Sequence, residues 1–194
     1  AARIASEALQ TLNHSGHVLV YAGDAHIEPQ ALQTLVDGYV KQQAELALLM
    51  VGKQPGAGSP KGRVIVDDEG QALDIVESVD LARQAIVDDV TKLLARRSKI
   101  AGSEILASIN RHIPHPDKQQ AAVGELLRLA RNGHSVAASS IAEVVQSDAC
   151  NLRIDGKRLT AKEIEKTCRG SNQSLYLFRS DVFYEGVGMI DNDN

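Results

Sequence analysis

The chain has 194 residues, of which 43% are hydrophobic and 24% are charged, and its formal net charge is −4. This is enough for one domain with an appended lobe, and the mild acidity argues against nucleic acid as a partner. No apolar run is long enough to span a membrane, which argues against a membrane partner. Because no signal peptide opens the chain and its two cysteines lack metal-ligand spacing, we expect a cytoplasmic location.

The first quarter of the chain alternates helical and strand patterns. Residues 1–13 have helical apolar spacing, and residues 17–22 form an apolar run that predicts a strand covered on both faces. Pro29 suits the first turn of a helix over residues 29–42. A second apolar run, 46–51, predicts a strand over residues 45–52. The order is therefore β-α-β, as in open α/β sheets.

Asp24 follows the first predicted strand directly. In open α/β sheets, ligands bind outside the carboxyl ends of the strands, so Asp24 lies where a substrate or a metal would be. The alternative is that Asp24 only caps the next helix. Glu28, directly before Pro29, is the better candidate for that cap.

A hairpin is predicted after a loop rich in proline and glycine. The apolar runs 63–66 and 72–76 flank the turn sequence DDEG, with glycine at the turn. From about residue 80 the apolar spacing becomes helical, and we find no internal repeat.

Two further signals lie near the end of the chain. Thr160 and Glu163 have the spacing of a capping box at a helix start. Residues 175–178 predict another buried strand, and residues 181–189 predict a short helix.

Five short segments occur in an order and spacing that is typical of one family. They are residues 18–24 (VLVYAGD), 61–64 (KGRV), 74–77 (DIVE), 172–178 (NQSLYLF) and 192–194 (NDN). Together they resemble the sugar-1-phosphate nucleotidyltransferases, in particular the uridylyltransferase domains that make UDP-N-acetylglucosamine. The resemblance covers roughly residues 1–80 and 170–194.

The resemblance implies a fold and an activity. The fold is α/β, with a Rossmann-like, mostly parallel sheet and a helical insertion. Residues 1–80 would be the central part of the nucleotidyltransferase domain, 81–169 the insertion, and 170–194 the continuation of the domain. The activity is transfer of UMP from UTP to a sugar 1-phosphate such as N-acetylglucosamine 1-phosphate, with release of pyrophosphate and with Mg²⁺ as cofactor.

The resemblance also implies site residues. Asp24 would be a Mg²⁺ ligand, because carboxylates are preferred ligands of this cation. Gly62 would let its backbone approach the sugar, or would simply open the hairpin. Glu77 would accept hydrogen bonds from sugar hydroxyls, or would be an exposed acid at a strand end. Asn172 would bind the sugar or its acetamido group, and without the family pattern it would be interpreted as a loop residue.

Two further points concern the proposed sugar site: the cations beside Gly62, and the family motifs that have no counterpart in this chain. Lys61 and Arg63 could touch phosphate, but we expect solvated loop cations. The family's glycine-rich triphosphate loop and its second metal ligand find no counterpart within residues 1–194. We therefore expect that this chain alone does not turn over substrate.

Two alternatives to uridylyl transfer stay open. One is cytidylyl or guanylyl transfer to another acceptor. The other is a non-catalytic nucleotide-sugar-binding or assembly module. The insertion 81–169 could serve as a lid, a specificity element or a contact in a homo-oligomer. The expected partners are a nucleoside triphosphate and a sugar 1-phosphate.

Overall fold

The structure is a computed structural model that describes residues 1–23, 26–53, 61–147 and 152–189. The described chain is mixed α/β. Its elements, in chain order, are α1 (Ala2–Thr11), β1 (His17–Tyr21), α2 (Pro29–Gln42), β2 (Leu46–Gly52), β3 (Arg63–Val66), β4 (Ala72–Val76), α3 (Ser78–Leu94), β5 (Lys99–Ala101), α4 (Gly102–His112), α5 (Pro116–Asn132), β6 (Ser135–Ala137), α6 (Ala138–Gln146), β7 (Arg153–Ile154), β8 (Lys157–Arg158), α7 (Ala161–Thr167), β9 (Gly170–Arg179) and α8 (Ser180–Gly188).

The chain divides into two compact units. The first unit comprises Ala1–Val51 and Asn172–Asn194, and the second comprises Gly52–Ser171. The β3–β4 hairpin, which the resemblance groups with residues 1–80, belongs to the second unit. Among the described residues, no helix combines the length and the apolar content needed to cross a membrane.

Strand β9 organises the first unit. It pairs antiparallel with β1, from His17 opposite Arg179 to Tyr21 opposite Leu175. It also pairs with β2, and the Arg179 N–H donates to the Glu45 carbonyl at 2.9 Å. Because Glu45 precedes β2 and Arg179 ends β9, these two strands run in opposite directions. Strands β1 and β2 therefore share one direction.

The observed pairings do not support the mostly parallel sheet that the resemblance implies. Every described strand pair whose register is known is antiparallel. The pairings are antiparallel because β1 and β2 do not pair with each other among the described strands. Each of them pairs instead with β9, a strand from near the end of the described chain. Apolar periodicity reveals that a segment is a strand, but it does not reveal the direction in which that strand will pair.

The core of the first unit lies on one side of its strands. Helix α2 contributes Leu35 and Tyr39, and β9 contributes Leu175 and Leu177. The expectation that β1 is covered on both faces is wrong. Its residues alternate between exposed and half-buried, and Leu19 is 43% exposed.

The predicted hairpin is confirmed in the second unit. Strands β3 and β4 pair antiparallel, with Arg63 opposite Val76. Its turn contains Gly70 at φ 85°, a left-handed conformation that glycine adopts without strain. The other edge of β3 pairs with the first residues of β9, where Val64 lies opposite Gly170.

The helical part of the second unit has the same order of elements twice. Helix, short strand and helix occur as α3-β5-α4 and again as α5-β6-α6. The two short strands pair antiparallel with Ile100 opposite Val136 at their centre. These two residues join the largest buried cluster of the chain, which all four helices build.

The predicted capping box is confirmed at α7. The Thr160 hydroxyl accepts from the Glu163 N–H at 3.2 Å, and the Glu163 carboxylate accepts from the Thr160 N–H at 2.8 Å. The hydrogen bond from the Thr160 side chain holds the pKa of Glu163 below its ordinary value. This short helix therefore begins at a residue that the sequence alone identifies.

Candidate functional site

The structure brings two of the predicted site residues together in the second unit. Gly62 directly precedes β3 and Glu77 directly follows β4, so the pairing of Arg63 with Val76 sets them opposite each other. A Cβ atom built on Gly62 would lie 2.9 Å from Oε1 of Glu77 and 3.1 Å from Cγ2 of Ile75. The missing side chain of Gly62 therefore leaves the space that the Glu77 carboxylate occupies.

The Glu77 carboxylate is an available hydrogen-bond acceptor. Glu77 is exposed and stands at the N-cap position of α3, but its side chain makes no capping hydrogen bond. In the part of the chain that the structure describes, no donor pairs with this carboxylate. A ligand with hydroxyl groups could donate hydrogen bonds to the two carboxylate oxygens of Glu77, which lie beside Gly62.

Asn172 lies in the first unit and is only 4% exposed. Its Oδ1 accepts from the Ser174 N–H at 2.9 Å, and its Nδ2 donates to the Tyr176 hydroxyl at 2.5 Å. Ser174 has φ 54°, so the Asn172 amide holds a left-handed irregularity within β9. Asn172 therefore has a structural task in the strand. An amide retains one further N–H and further lone pairs for a ligand.

The predicted metal ligand Asp24 lies outside the described residues. Within the described ranges, no three His, Cys, Asp or Glu side chains come close enough to hold a metal ion. The role of Asp24 stays a prediction from the resemblance.

The expectation for Arg63 as a solvated loop cation is wrong. Arg63 is 8% exposed, and its Nε and Nη2 donate to Oε1 of Glu165 at 3.0 and 2.6 Å. Its Nη1 donates to the Lys61 carbonyl at 2.7 Å. Lys53 approaches the same acid, with 3.8 Å between its Nζ and Oε2 of Glu165. Arg63 therefore joins the start of β3 to α7 directly beside Gly62.

Sequence reasoning missed Glu165 because it lies 102 residues from its partner. One signal was present in the sequence. Arg63 opens the apolar run of β3, and a cation on a buried strand requires an anionic partner. The identity of that partner follows only from the packing of α7 against β3.

Comparison with protein-family models, with curated proteins and with solved structures gives no match to this chain.

Proposed function

We propose that this chain contributes the sugar site of a sugar-1-phosphate nucleotidyltransferase, in which Gly62 and Glu77 bind the sugar. The substrates are UTP and N-acetylglucosamine 1-phosphate, and the products are UDP-N-acetylglucosamine and pyrophosphate. The observation that carries the proposal is the contact between Gly62 and the Glu77 carboxylate. The resemblance assigns both residues to sugar binding, and they meet although 15 residues (77 − 62) separate them in the chain.

Glu77 would accept hydrogen bonds from neighbouring hydroxyls of the sugar. Hydrogen bonds to an ionised carboxylate are about twice as strong as those between neutral groups. The backbone N–H of Gly62 would approach the sugar beside the Glu77 carboxylate, which occupies the space that a side chain at Gly62 would fill. Together they would fix the ring and aim its phosphate.

The chemistry requires positioning more than bond-making by side chains. A phosphate oxygen of the sugar phosphate attacks the α-phosphorus of UTP. The bond between that phosphorus and the oxygen bridging to the β-phosphate breaks, and pyrophosphate leaves with the electron pair. No proton transfer to a side chain is needed for this exchange. A residue that holds the sugar therefore contributes by orienting the nucleophile.

The finer features of the family belong to the same proposal. The shared direction of β1 and β2, with β9 running against both, is compatible with a Rossmann-like sheet that is mostly parallel in the whole enzyme. Asp24 is the proposed ligand of Mg²⁺, which would neutralise phosphate charge when bound. We propose a cytoplasmic enzyme in which the insertion, residues 81–169, serves as a lid, a specificity element or a homo-oligomer contact.

The proposal is tested by ligand binding measured with saturation-transfer NMR and calorimetry. UDP-N-acetylglucosamine should bind the chain, and Glu77→Gln should weaken binding about tenfold or more, because it removes a charged acceptor. Glu143→Gln is the matched control. Glu143 is an exposed acid on α6 of the same unit, and its replacement should leave the affinity unchanged.

Two further binding experiments test which base the nucleotide carries and whether Mg²⁺ contributes to the affinity. UDP, CDP and GDP conjugates compared in the same titration identify the base. Asp24→Asn should abolish any dependence of the affinity on Mg²⁺. Equal affinity of the wild-type chain and Glu77→Gln for the sugar nucleotide would overturn the proposed role of the Gly62–Glu77 contact.

A further inference from the structure

A cleft of about 500 Å³ opens in the second unit, on a different set of side chains from the Gly62–Glu77 contact. Its long wall is a stripe of α3. Helix α4 contributes His112, α7 contributes Ala161, Lys162 and Glu165, and β3 contributes Arg63. The main lining residues are Ser78, Leu81, Ala82, Ala85, His112 and Lys162. Its volume falls in the usual range for small-molecule sites.

The stripe of α3 explains the shape of the cleft. Ser78, Leu81, Ala82 and Ala85 recur at intervals of three and four residues, so they line one face of the helix over about 10 Å. Two of these four are alanines, and their short side chains leave the space between α3 and α7 unfilled. The resulting floor is apolar along most of its length, with a hydroxyl at one end.

Three of the acids around the cleft already have hydrogen-bond or ion-pair partners. Glu165 is bound by Arg63 at 2.6 Å and approached by Lys53 at 3.8 Å. Asp88 accepts from the Ala161 N–H at 2.8 Å and from the Gln84 amide at 2.9 Å.

Asp89, four residues after Ala85 on α3, is the third acid. Its Oδ2 lies 3.1 Å from Nε2 of His112 and 3.4 Å from Nη1 of Arg111, and its Oδ1 accepts from Lys92 at 3.2 Å. His112 is therefore held in place by Asp89 while it lines the cleft.

Lys162 is a further cation that lines the cleft. It is exposed at the start of α7, and among the described residues no acid pairs with it. The Lys162 ammonium therefore lies beside the apolar floor of the cleft. This combination favours an anion that carries an apolar body.

We propose that this cleft binds a phosphomonoester with an apolar body. The phosphate lies at Lys162 and the Ser78 hydroxyl, and the apolar body covers Leu81, Ala82 and Ala85. The site is distinct from the proposed sugar site. Successive residues of an extended chain point to opposite sides, so Gly62 faces Glu77 while Arg63 faces α7. A sugar phosphate, with its polar ring, does not match the apolar floor.

The test is an amide NMR titration of the full chain with phenyl phosphate. We expect saturable shifts at Ser78, Ala82, Ala85 and Lys162, with a dissociation constant of about 1 mM or below. Lys162→Glu should weaken binding about tenfold or more, because it places an acid where the phosphate lies. Lys166→Glu, an exposed charge reversal on the same helix outside the cleft, should change the affinity by less than about twofold.

Each ligand control separates one part of the proposal. Inorganic phosphate should bind more weakly than phenyl phosphate, because it lacks the apolar body. N-acetylglucosamine 1-phosphate should not displace phenyl phosphate. Overturning results are the absence of saturable shifts in the cleft, equal losses in Lys162→Glu and Lys166→Glu, equal affinity for inorganic phosphate, or displacement by the sugar phosphate. None of these readouts requires the proposed sugar site to be correct.

Discussion

The two units of this chain differ in how completely they bury their apolar side chains. In the second unit, Ile86, Ile100 and Ile105 are each 0% exposed. In the first unit, Ile4 is 72% exposed and Leu12 is 76% exposed, although both lie in or beside the amphipathic helix α1. The same residue types therefore stabilise one unit and contribute little burial to the other.

This difference shows that apolar periodicity predicts an element but not the surface that covers it. Apolar spacing predicts helix α1, and a continuous apolar run predicts strand β1. Yet Leu19 and Tyr21 of β1 are 43% and 55% exposed. In the second unit, four helices close over one cluster, so the same kind of pattern yields complete burial. Burial is set by how many elements surround a face, which is a tertiary property.

The largest expected effect is a core truncation in the second unit. Ile105→Ala should lower the free energy of unfolding by about 2–5 kcal/mol, because it removes buried methyl groups and leaves a cavity. Ile4→Ala, the same change at the exposed position of the first unit, should alter it by less than about 0.5 kcal/mol. Urea unfolding followed by circular dichroism measures both. Similar losses for the two variants would contradict the contrast in burial.

A smaller effect is expected from glycine to alanine in the two units. At Gly102, a new Cβ would lie 2.2 Å from the Ala130 carbonyl oxygen and 2.4 Å from that of Gly133. Backbone atoms cannot move aside cheaply, so Gly102→Ala should destabilise the chain by about 1–3 kcal/mol.

Gly38 in α2 of the first unit provides the matched substitution. A Cβ there meets nothing within 4 Å, so Gly38→Ala should stabilise the chain by up to about 1 kcal/mol through helix propensity. Thermal unfolding should show a lower melting temperature for Gly102→Ala and a higher one for Gly38→Ala. A stabilised Gly102→Ala variant would mean that α4 and α5 are not packed as closely as described.

The smallest effect concerns pH and two acids, one in each unit. Burial raises the pKa of Asp89, but hydrogen bonds from His112 and Lys92 outweigh it and hold this pKa below 3.8, its ordinary value. A carboxylate whose pKa is lower in the folded state stabilises the fold above its unfolded pKa. That stability is lost as the pH falls through the folded pKa.

Asp89→Asn should therefore destabilise the chain at neutral pH, and its difference from wild type should shrink below pH 3.8. In the first unit, Arg179 likewise lowers the pKa of Asp181, but the Asp181 side chain is 64% exposed. Solvent screening should make the effect of Asp181→Asn smaller at every pH. Urea titrations from about pH 7 to pH 3 distinguish the two. A constant difference for Asp89→Asn across this range would rule out its ionisation as the cause.

Much of the secondary structure could be predicted because the signals are local. Helix α2 has the predicted bounds 29–42, and the hairpin and the Thr160 capping box lie where the sequence predicts them. Strands β5 and β6 could not be predicted. Each has three residues, too few for a periodic pattern, and only their pairing across Ile100 and Val136 makes them strands.

The candidate site was predictable in part. Gly62 and Glu77 were named from the resemblance, and hairpin register alone would bring them together once the turn at Gly70 was recognised. The roles of Arg63 and Lys162 were not predictable in this way. They depend on the packing of α7 against β3 and α3, about 100 residues later in the chain than Arg63.

The sequence by itself determined the approximate bounds of α1, α2, α8 and the first four strands, because apolar spacing, glycine, proline and capping residues act over a few neighbouring positions. Tertiary structure alone decided the direction of β9, the burial of Arg63 against Glu165 and the cleft beside α3. Each of these joins segments that are distant in the chain, and their contact free energy depends on the whole packing arrangement rather than on any local pattern.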